Sequence, residues 1–400
     1  MPRRELPPTA GLPFEPGDFL PGPANLARRV ATTLHLPPLQ LECSGTASLL
    51  LALHTLQRLA PQRRVVVVPA YTCPLVAIAV HRLGLELRLC DLRPGHYDMD
   101  PQALADACRE DTLAVLPTHL AGRVADVDSA MEAATRHGAW VIEDAAQALG
   151  ARDRGRSVGL RGHLGFFSLA AGKGLSIYEG GLLVTRDRAL REALRQTSAA
   201  SVPRRPGWEL RRSLELLGLA ALYRPLGLRP AYGAPLRRAL RRGDPAAAVG
   251  DIFPDTIPLH RVGRWRQAVG ARAAMRLPAF LDTTRTQARE RAERLRRIDG
   301  VHVFGDPPEA EGTWPVLWLR LPDEARRDAA LRELWQAGLG VSRLFVHALP
   351  DYPYLADRVP RADVPHARDL AARTLTLGNS AWLDEEAFEA ICAVLERMLA

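Results

Sequence analysis

Lysine is nearly missing from this chain. Of its 53 basic residues, 52 are arginine and one, Lys173, is lysine. Arginine supplies positive charge as well as lysine does, so charge does not explain the exception. Only lysine can lose its proton near neutral pH and attack a carbonyl; the guanidinium stays protonated and forms no imine. Cysteine is scarce too. The five cysteines (Cys43, Cys73, Cys90, Cys108, Cys392) are scattered and form no CxxC pair, and no Cys/His group has zinc-site spacing. This argues against a disulfide framework or a structural metal, and for reduced thiols in a cytoplasmic setting. No run reaches the roughly 18 apolar residues of a membrane span. The opening "MPRRELPPTAGLPFEPGDFLPG" is proline-rich and polar where a secretory signal needs an apolar run.

What is present describes a globular protein of two or three domains: 400 residues, 47% apolar and 24% charged. The net charge of +8 is concentrated. Residues 204–242 hold ten arginines against Glu209 and Glu215, so this one segment accounts for all of it. A charge confined to one stretch argues against a general nucleic-acid binder. The same stretch couples "WELRRSLELLGLAALYRPLGL", with Leu210, Leu214 and Leu217 at helical spacing, to Arg237, Arg238, Arg241 and Arg242. Two readings stay open for it. One is peripheral membrane contact, with anionic lipid attracting the cations. The other is an interfacial or lid insertion whose leucines pack on the protein.

From residue 40 to 187, apolar runs alternate with helix-like stretches. "RVVVVPA" (64–70), "LELRLCD" (85–91), "LAVLPTH" (113–119) and "AWVIEDA" (139–145) read as buried strands, as do "LGFFSLA" and "GGLLVTRD" on either side of Lys173. Such a pattern predicts a mainly parallel sheet covered by helices on both faces. A helical stretch is expected over about 261–298. A smaller α+β unit follows, with "WPVLWLRL", a helix through "DEARRDAALRELWQAG", "GVSRLFV" and a last helix from Asp384. The expected domains are an arm over 1–30, a large α/β domain over 31–275 interrupted at about 198–255, and a small domain over 276–400.

Ligands of open α/β sheets lie beyond the carboxyl ends of the strands. Three clusters fall there. In "CSGTAS" (43–48), Gly45, Thr46 and Ala47 open a helix whose N–H groups suit a phosphate. "VIEDAAQ" (141–147) ends a strand on Glu143 and Asp144. "FFSLAAGKGLSIYEGG" sets Ser168 five residues before Lys173. An anion cradle, a strand-end carboxylate and a solitary amine together meet the needs of pyridoxal phosphate.

The order "SGTAS … VVVPAYTCP … CDLRPGHYDMDPQAL … LPTHLAGRVADVD … VIEDAAQALGA … GFFSLAAGKGLSIYEGGLLVT" resembles the DegT/StrS family of sugar aminotransferases, which are pyridoxal-phosphate enzymes of fold type I. The resemblance implies a large domain with a mainly parallel sheet, a smaller C-terminal α+β domain and a homodimer. It implies that Lys173 forms the Schiff base, Asp144 pairs with the pyridine nitrogen and Gln147 faces the phenolic oxygen. Thr46, Ala47 and Ser168 match phosphate ligands. His119 and His347 match histidines near the pocket, and are candidates for substrate contact or for a structural role. The implied reaction moves an amino group, in most of the family from glutamate, to a keto-sugar that is typically nucleotide-linked. Lys173 argues against the dehydrating relatives, which carry histidine there. The alternatives are a lipid-linked or other non-nucleotide ketone as acceptor, or a non-catalytic cofactor-binding regulator. Four positions depart from the family pattern: Cys73 replaces an aromatic that stacks on the cofactor, Gly174 an asparagine, Ala121 a tyrosine, and Leu259 an asparagine that reaches the neighbouring subunit's phosphate.

Overall fold

The computed structural model describes residues 4–400. Its main sheet has seven strands: β1 (Gln40–Glu42), β2 (Val65–Pro69), β3 (Glu86–Cys90), β4 (Thr112–Val115), β5 (Trp140–Asp144), β6 (Leu164–Ser168) and β7 (Gly181–Val184), in the order β1-β7-β6-β5-β4-β2-β3. Strands β2 to β6 pair in parallel, and β7 runs against both β6 and β1. The central strands β2, β4, β6 and β7 are buried throughout, which is why they read as unbroken apolar runs. All six expected strands are present. Strand β1 is an addition, too short at three residues to show a period.

Helices α1 (Leu26–Leu34), α2 (Gly45–Leu59), α3 (Pro74–Arg82), α4 (Pro101–Ala107), α5 (Val127–Arg136) and α6 (Arg188–Ser201) cover this sheet. Ser44, Asp100, Asp126 and Asp187 cap α2, α4, α5 and α6 by accepting the first free N–H groups. Because β3 and β4 lie on opposite sides of β2, the chain changes direction across the sheet there. The loops leaving β2 and β4 diverge at that point and open a crevice.

The arginine-rich stretch forms α7 (Pro206–Leu222), α8 (Pro225–Leu228), a π-helical turn (Arg229–Gly233), α9 (Ala234–Arg241) and α10 (Pro245–Val249). It does not stay with the large domain. On α7, Glu209 takes two hydrogen bonds from the buried Arg266 (2.8 and 2.5 Å). Arg212 pairs with Glu179 and Glu215, and its guanidinium lies 4.7 Å from the Trp208 ring. Farther on, Leu236 of α9 joins the core of the C-terminal domain and Arg237 binds Glu5 at 2.8 Å. The leucine stripe is not packed on its own chain: Leu210, Leu214 and Leu217 are 63%, 60% and 46% exposed, whereas Leu216 is buried. No helix among the described residues is long and apolar enough to cross a membrane.

The helical stretch expected at 261–298 is broken into α11 (Arg264–Ala273), a 3-10 turn (Ala274–Arg276) and α12 (Leu277–Leu295), with Pro278 in the first turn of α12, where its missing N–H costs no hydrogen bond. A second, fully antiparallel sheet has β8 (His302–Val303), β9 (Val316–Arg320), β10 (Val341–Ser342) and β11 (Thr374–Gly378) in the order β8-β9-β11-β10. Helices α13 (Glu324–Ala337), α14 (Pro365–Arg373) and α15 (Glu385–Leu399) accompany it. Of "GVSRLFV" only Val341 and Ser342 are strand; the rest is loop. The N-terminal arm ends earlier than expected, since α1 begins at Leu26. It ties the two parts together, with Leu6 N–H donating to Gly338 O (2.9 Å) and Leu12 N–H to Gly174 O (2.8 Å).

Candidate active site

The crevice gathers residues from the carboxyl ends of β2, β4, β5 and β6. At the start of α2, the Ser44 hydroxyl accepts the Ala47 N–H at 3.0 Å. The Ala47 N–H is thereby engaged by the cap. The N–H groups of Gly45 and Thr46 and the Thr46 hydroxyl meet no acceptor among the described residues. Ser168 closes against them, and a Cβ on Gly45 would lie 2.9 Å from the Ser168 Cβ, so only glycine permits this approach. Gly45, Thr46 and Ser168 thus form the cradle.

Strand alternation sends Glu143 and Asp144 to opposite faces of the sheet. Glu143 is fully buried and accepts from the N–H groups of Gly159, Arg161 and Gly162 (2.6, 2.7 and 2.6 Å) and from His119 Nε2 (3.1 Å). Burial by itself would raise its pKa, but His119 and these N–H donors outweigh it and hold the carboxyl below its ordinary range. His119 Nδ1 accepts the Ala125 N–H at 3.0 Å, which leaves the proton on Nε2. Both ring nitrogens are therefore engaged, and neither is free for a substrate. Asp144 faces the crevice. Its Oδ1 accepts the Ala146 N–H at 3.0 Å, no donor among the described residues meets Oδ2, and the residue is 4% exposed. Burial raises its pKa, partly offset by Ala146, Lys173 and His119. Such a carboxylate gains from a cationic partner.

Lys173 sits on the turn after β6. Burial lowers its pKa toward the free amine, partly offset by the neighbouring Cys73 and Asp144. Cys73 follows β2 at the start of α3, where burial pushes its thiol up to about 12; it is a neutral, polarisable surface rather than a thiolate. Gln147 Oε1 accepts the Ala121 N–H at 2.7 Å, so its amide NH2 is the end left free. An open anion cradle, a half-satisfied buried carboxylate and a desolvated amine fit pyridoxal phosphate. Among the described residues no cluster of three or more His, Cys, Asp or Glu could hold a metal ion.

His347 is half-buried in the loop after β10, edge-on to Tyr352 at 5.2 Å, and burial together with Arg343 lowers its pKa. That loop is held from the arginine-rich stretch: Asp251 accepts from Tyr352 Oη and from Val346 N–H, both at 2.7 Å. Nothing in the residues around Asp251 signals this role, because its partners lie about a hundred positions away. Leu259 is half-buried and packs on the core of the large domain. Lys173 also borders a cavity of about 260 Å³, walled by the arm, the end of α7 and Trp382.

Comparison with known proteins follows the same lines. The profile of the DegT/DnrJ/EryC1/StrS aminotransferase family matches residues 39–219 and 261–396, leaving 220–260 unmatched. Over 336 residues the chain is 30% identical to a dTDP-3-amino-3,4,6-trideoxy-alpha-D-glucose transaminase of Streptomyces venezuelae, covering 83% of this chain and 76% of that protein. A 160-residue stretch is 38% identical to Protein MosB of Rhizobium meliloti, covering 40% of this chain and 31% of that protein. The structure of DesI with its TDP-sugar product superposes with a TM-score of 0.74 at 22% identity, covering 99% of this chain and 93% of that one. The fold is that of the fold-type-I transferases.

Proposed function

Since this chain belongs to the DegT/DnrJ/EryC1/StrS aminotransferase family, we propose that it moves an amino group from an amino acid, most simply glutamate, to the keto group of a nucleotide-linked sugar. It is an aminotransferase, and its cofactor is pyridoxal phosphate. Bound pyridoxal phosphate supplies the carbonyl that captures the donor amine and a ring that withdraws electrons from the adjacent carbon. Gly45, Thr46 and Ser168 would hold its phosphate, and Asp144 would keep its ring nitrogen protonated. The free NH2 of Gln147 would donate to its phenolic oxygen. The Lys173 amine, already biased toward the neutral form, takes a proton from the substrate carbon and returns one as general base and acid.

The observation that carries this reading is the chain's one lysine, half-buried near Asp144 with its pKa lowered toward the free amine. Mixing the purified holoenzyme with glutamate should release 2-oxoglutarate in a single turnover, and a nucleotide-linked keto-sugar should then restore the starting absorbance. Release of no keto acid from any amino acid would refute it.

Our reading includes a cytoplasmic homodimer. The exposed leucines support it, because they run along the same helix whose far end borders the Lys173 cavity. Replacing Leu210, Leu214 and Leu217 by serine should convert a dimer to a monomer in light scattering. An unchanged dimer, together with salt-sensitive binding to vesicles of phosphatidylglycerol, would assign the stripe and its arginines to a membrane surface instead.

A further inference from the structure

The two ends of α7 hold the two sides of the loop that carries Lys173. Residues 169–171 and 177–180 pair at the base of that loop. Leu169 N–H donates to Gly180 O (2.8 Å), Ile177 N–H to Leu169 O (3.0 Å) and Ala171 N–H to Tyr178 O (2.9 Å). Lys173 lies in the tip between these paired segments.

The start of α7 grips the 177–179 side. Glu209 fixes the buried Arg266, which donates to Ile177 O (3.3 Å) and Glu179 O (2.5 Å). Arg212 pairs with the Glu179 carboxylate, and the Nε2 of buried His260 lies 3.4 Å from the same group. The end of α7 reaches the other side through the arm. Tyr223, its C-terminal cap, donates from Oη to Thr9 O at 3.1 Å and lies 3.2 Å from Thr9 Oγ1. Thr9 Oγ1 in turn donates at 2.8 Å to the carbonyl of Gly172, the residue before Lys173.

The backbone at Tyr178 is strained. Its φ of 69° is left-handed, a state that glycine takes freely and tyrosine takes at a cost. The turn alone would favour glycine. What tyrosine adds is a ring 5.6 Å from the Arg212 guanidinium, which also lies 4.7 Å from the Trp208 ring. Arg212 is thereby held by two rings and by two carboxylates, Glu179 and Glu215.

A lysine side chain is long and flexible, so its amine is only as well placed as the backbone beneath it. Misplacement of a reacting group by about 1 Å costs roughly a hundredfold in rate. We propose that α7 is a splint for Lys173, with Arg212, Tyr178 and Tyr223 as positioning residues. They act through the backbone of residues 172 and 177–179. This rests on the reading above, in which the Lys173 amine moves the proton.

The test uses holoenzyme, with glutamate as donor. Its readouts are the saturating single-turnover rate, the half-saturating glutamate concentration and the urea midpoint of unfolding. A fourth, taken without substrate, is the pH midpoint of the bound cofactor's visible absorbance. Arg212→Gln should lower the rate about ten- to a hundredfold and leave half-saturation within about twofold of wild type. It should also shift the absorbance midpoint by about half a pH unit or more. Tyr223→Phe, which removes one hydroxyl, should lower the rate about fivefold. Tyr178→Gly should slow turnover without lowering the urea midpoint, because glycine accepts this φ; Tyr178→Phe restores the ring and should recover the rate. Ties that are merely structural would lower the urea midpoint and bound cofactor along with the rate in every variant. That result overturns the proposal. So do a wild-type rate and absorbance midpoint in both Arg212→Gln and Tyr223→Phe. Should Arg212→Gln fail to fold, Tyr178→Gly set against Tyr178→Phe decides. Unchanged variants of an active wild type remove the splint alone, whereas a wild type that fails with every amino donor also removes the role of Lys173.

Discussion

In residues 40–187 the buried carboxylate Glu143 is met by donors close to it along the chain, whereas several charged groups of residues 198–260 find their partners far away. Glu143 takes three backbone N–H groups from residues 159–162 and an imidazole from residue 119. Arg237 finds its carboxylate at residue 5, Asp251 its donors at 346 and 352, and Glu209 its guanidinium at 266. The first region can hold reactive atoms in place because Glu143, Asp144 and Ser168 lie on strands of the sheet and Glu143 fixes the loop and imidazole around it. The second acts as a strap, joining the two domains through a few long-range ties and walling part of the Lys173 cavity.

Removing the amine should break the comparison most completely. Lys173→Ala, and equally Lys173→Arg with its charge preserved, should lower turnover by at least ~10³-fold. Borohydride reduction followed by mass spectrometry should then find no cofactor attached to the chain. An active arginine variant would mean that charge, not a free amine, is what this position requires. Next, Asp144→Asn should keep bound cofactor, since the cradle is untouched, yet lose about 10²-fold or more in turnover. Near-normal rates would place the ring nitrogen's partner elsewhere.

Glu143 sharpens the contrast from the side of stability. Its carboxyl is held below the ordinary range in the folded chain, so the stabilisation it gives is present at neutral pH and is lost as pH falls through that lowered value. Glu143→Ala leaves His119 and three N–H groups without their acceptor and should cost about 3–5 kcal/mol in denaturant unfolding at pH 7. Glu143→Gln should flatten the acid limb of stability below about pH 4. In the strap, Asp251→Ala should cost less, ~1–3 kcal/mol, for the two donors it strands. Limited proteolysis should show the loss as cleavage near residues 345–355. A larger cost there than at Glu143 would reverse the comparison.

The sequence by itself determined the strands of the main sheet, because fully buried strands leave unbroken apolar runs, and it marked Lys173, because a single lysine among 52 arginines stands out without any structure. It also set Gly45, Thr46, Asp144, Ser168 and Lys173 at strand ends, which in an open sheet is enough to bring them near one another. The family resemblance added names for their roles. What the tertiary structure decided were the relations with no local period. Ala47 gives its N–H to a cap, His119 is used up on both nitrogens, and Leu259 packs on the core of the large domain. The leucines of α7 stay exposed while its far end walls the cavity beside Lys173. Strand and helix patterns are written over neighbouring residues, so they can be read along the chain; a hydrogen bond from residue 352 to residue 251 exists only once the chain has folded.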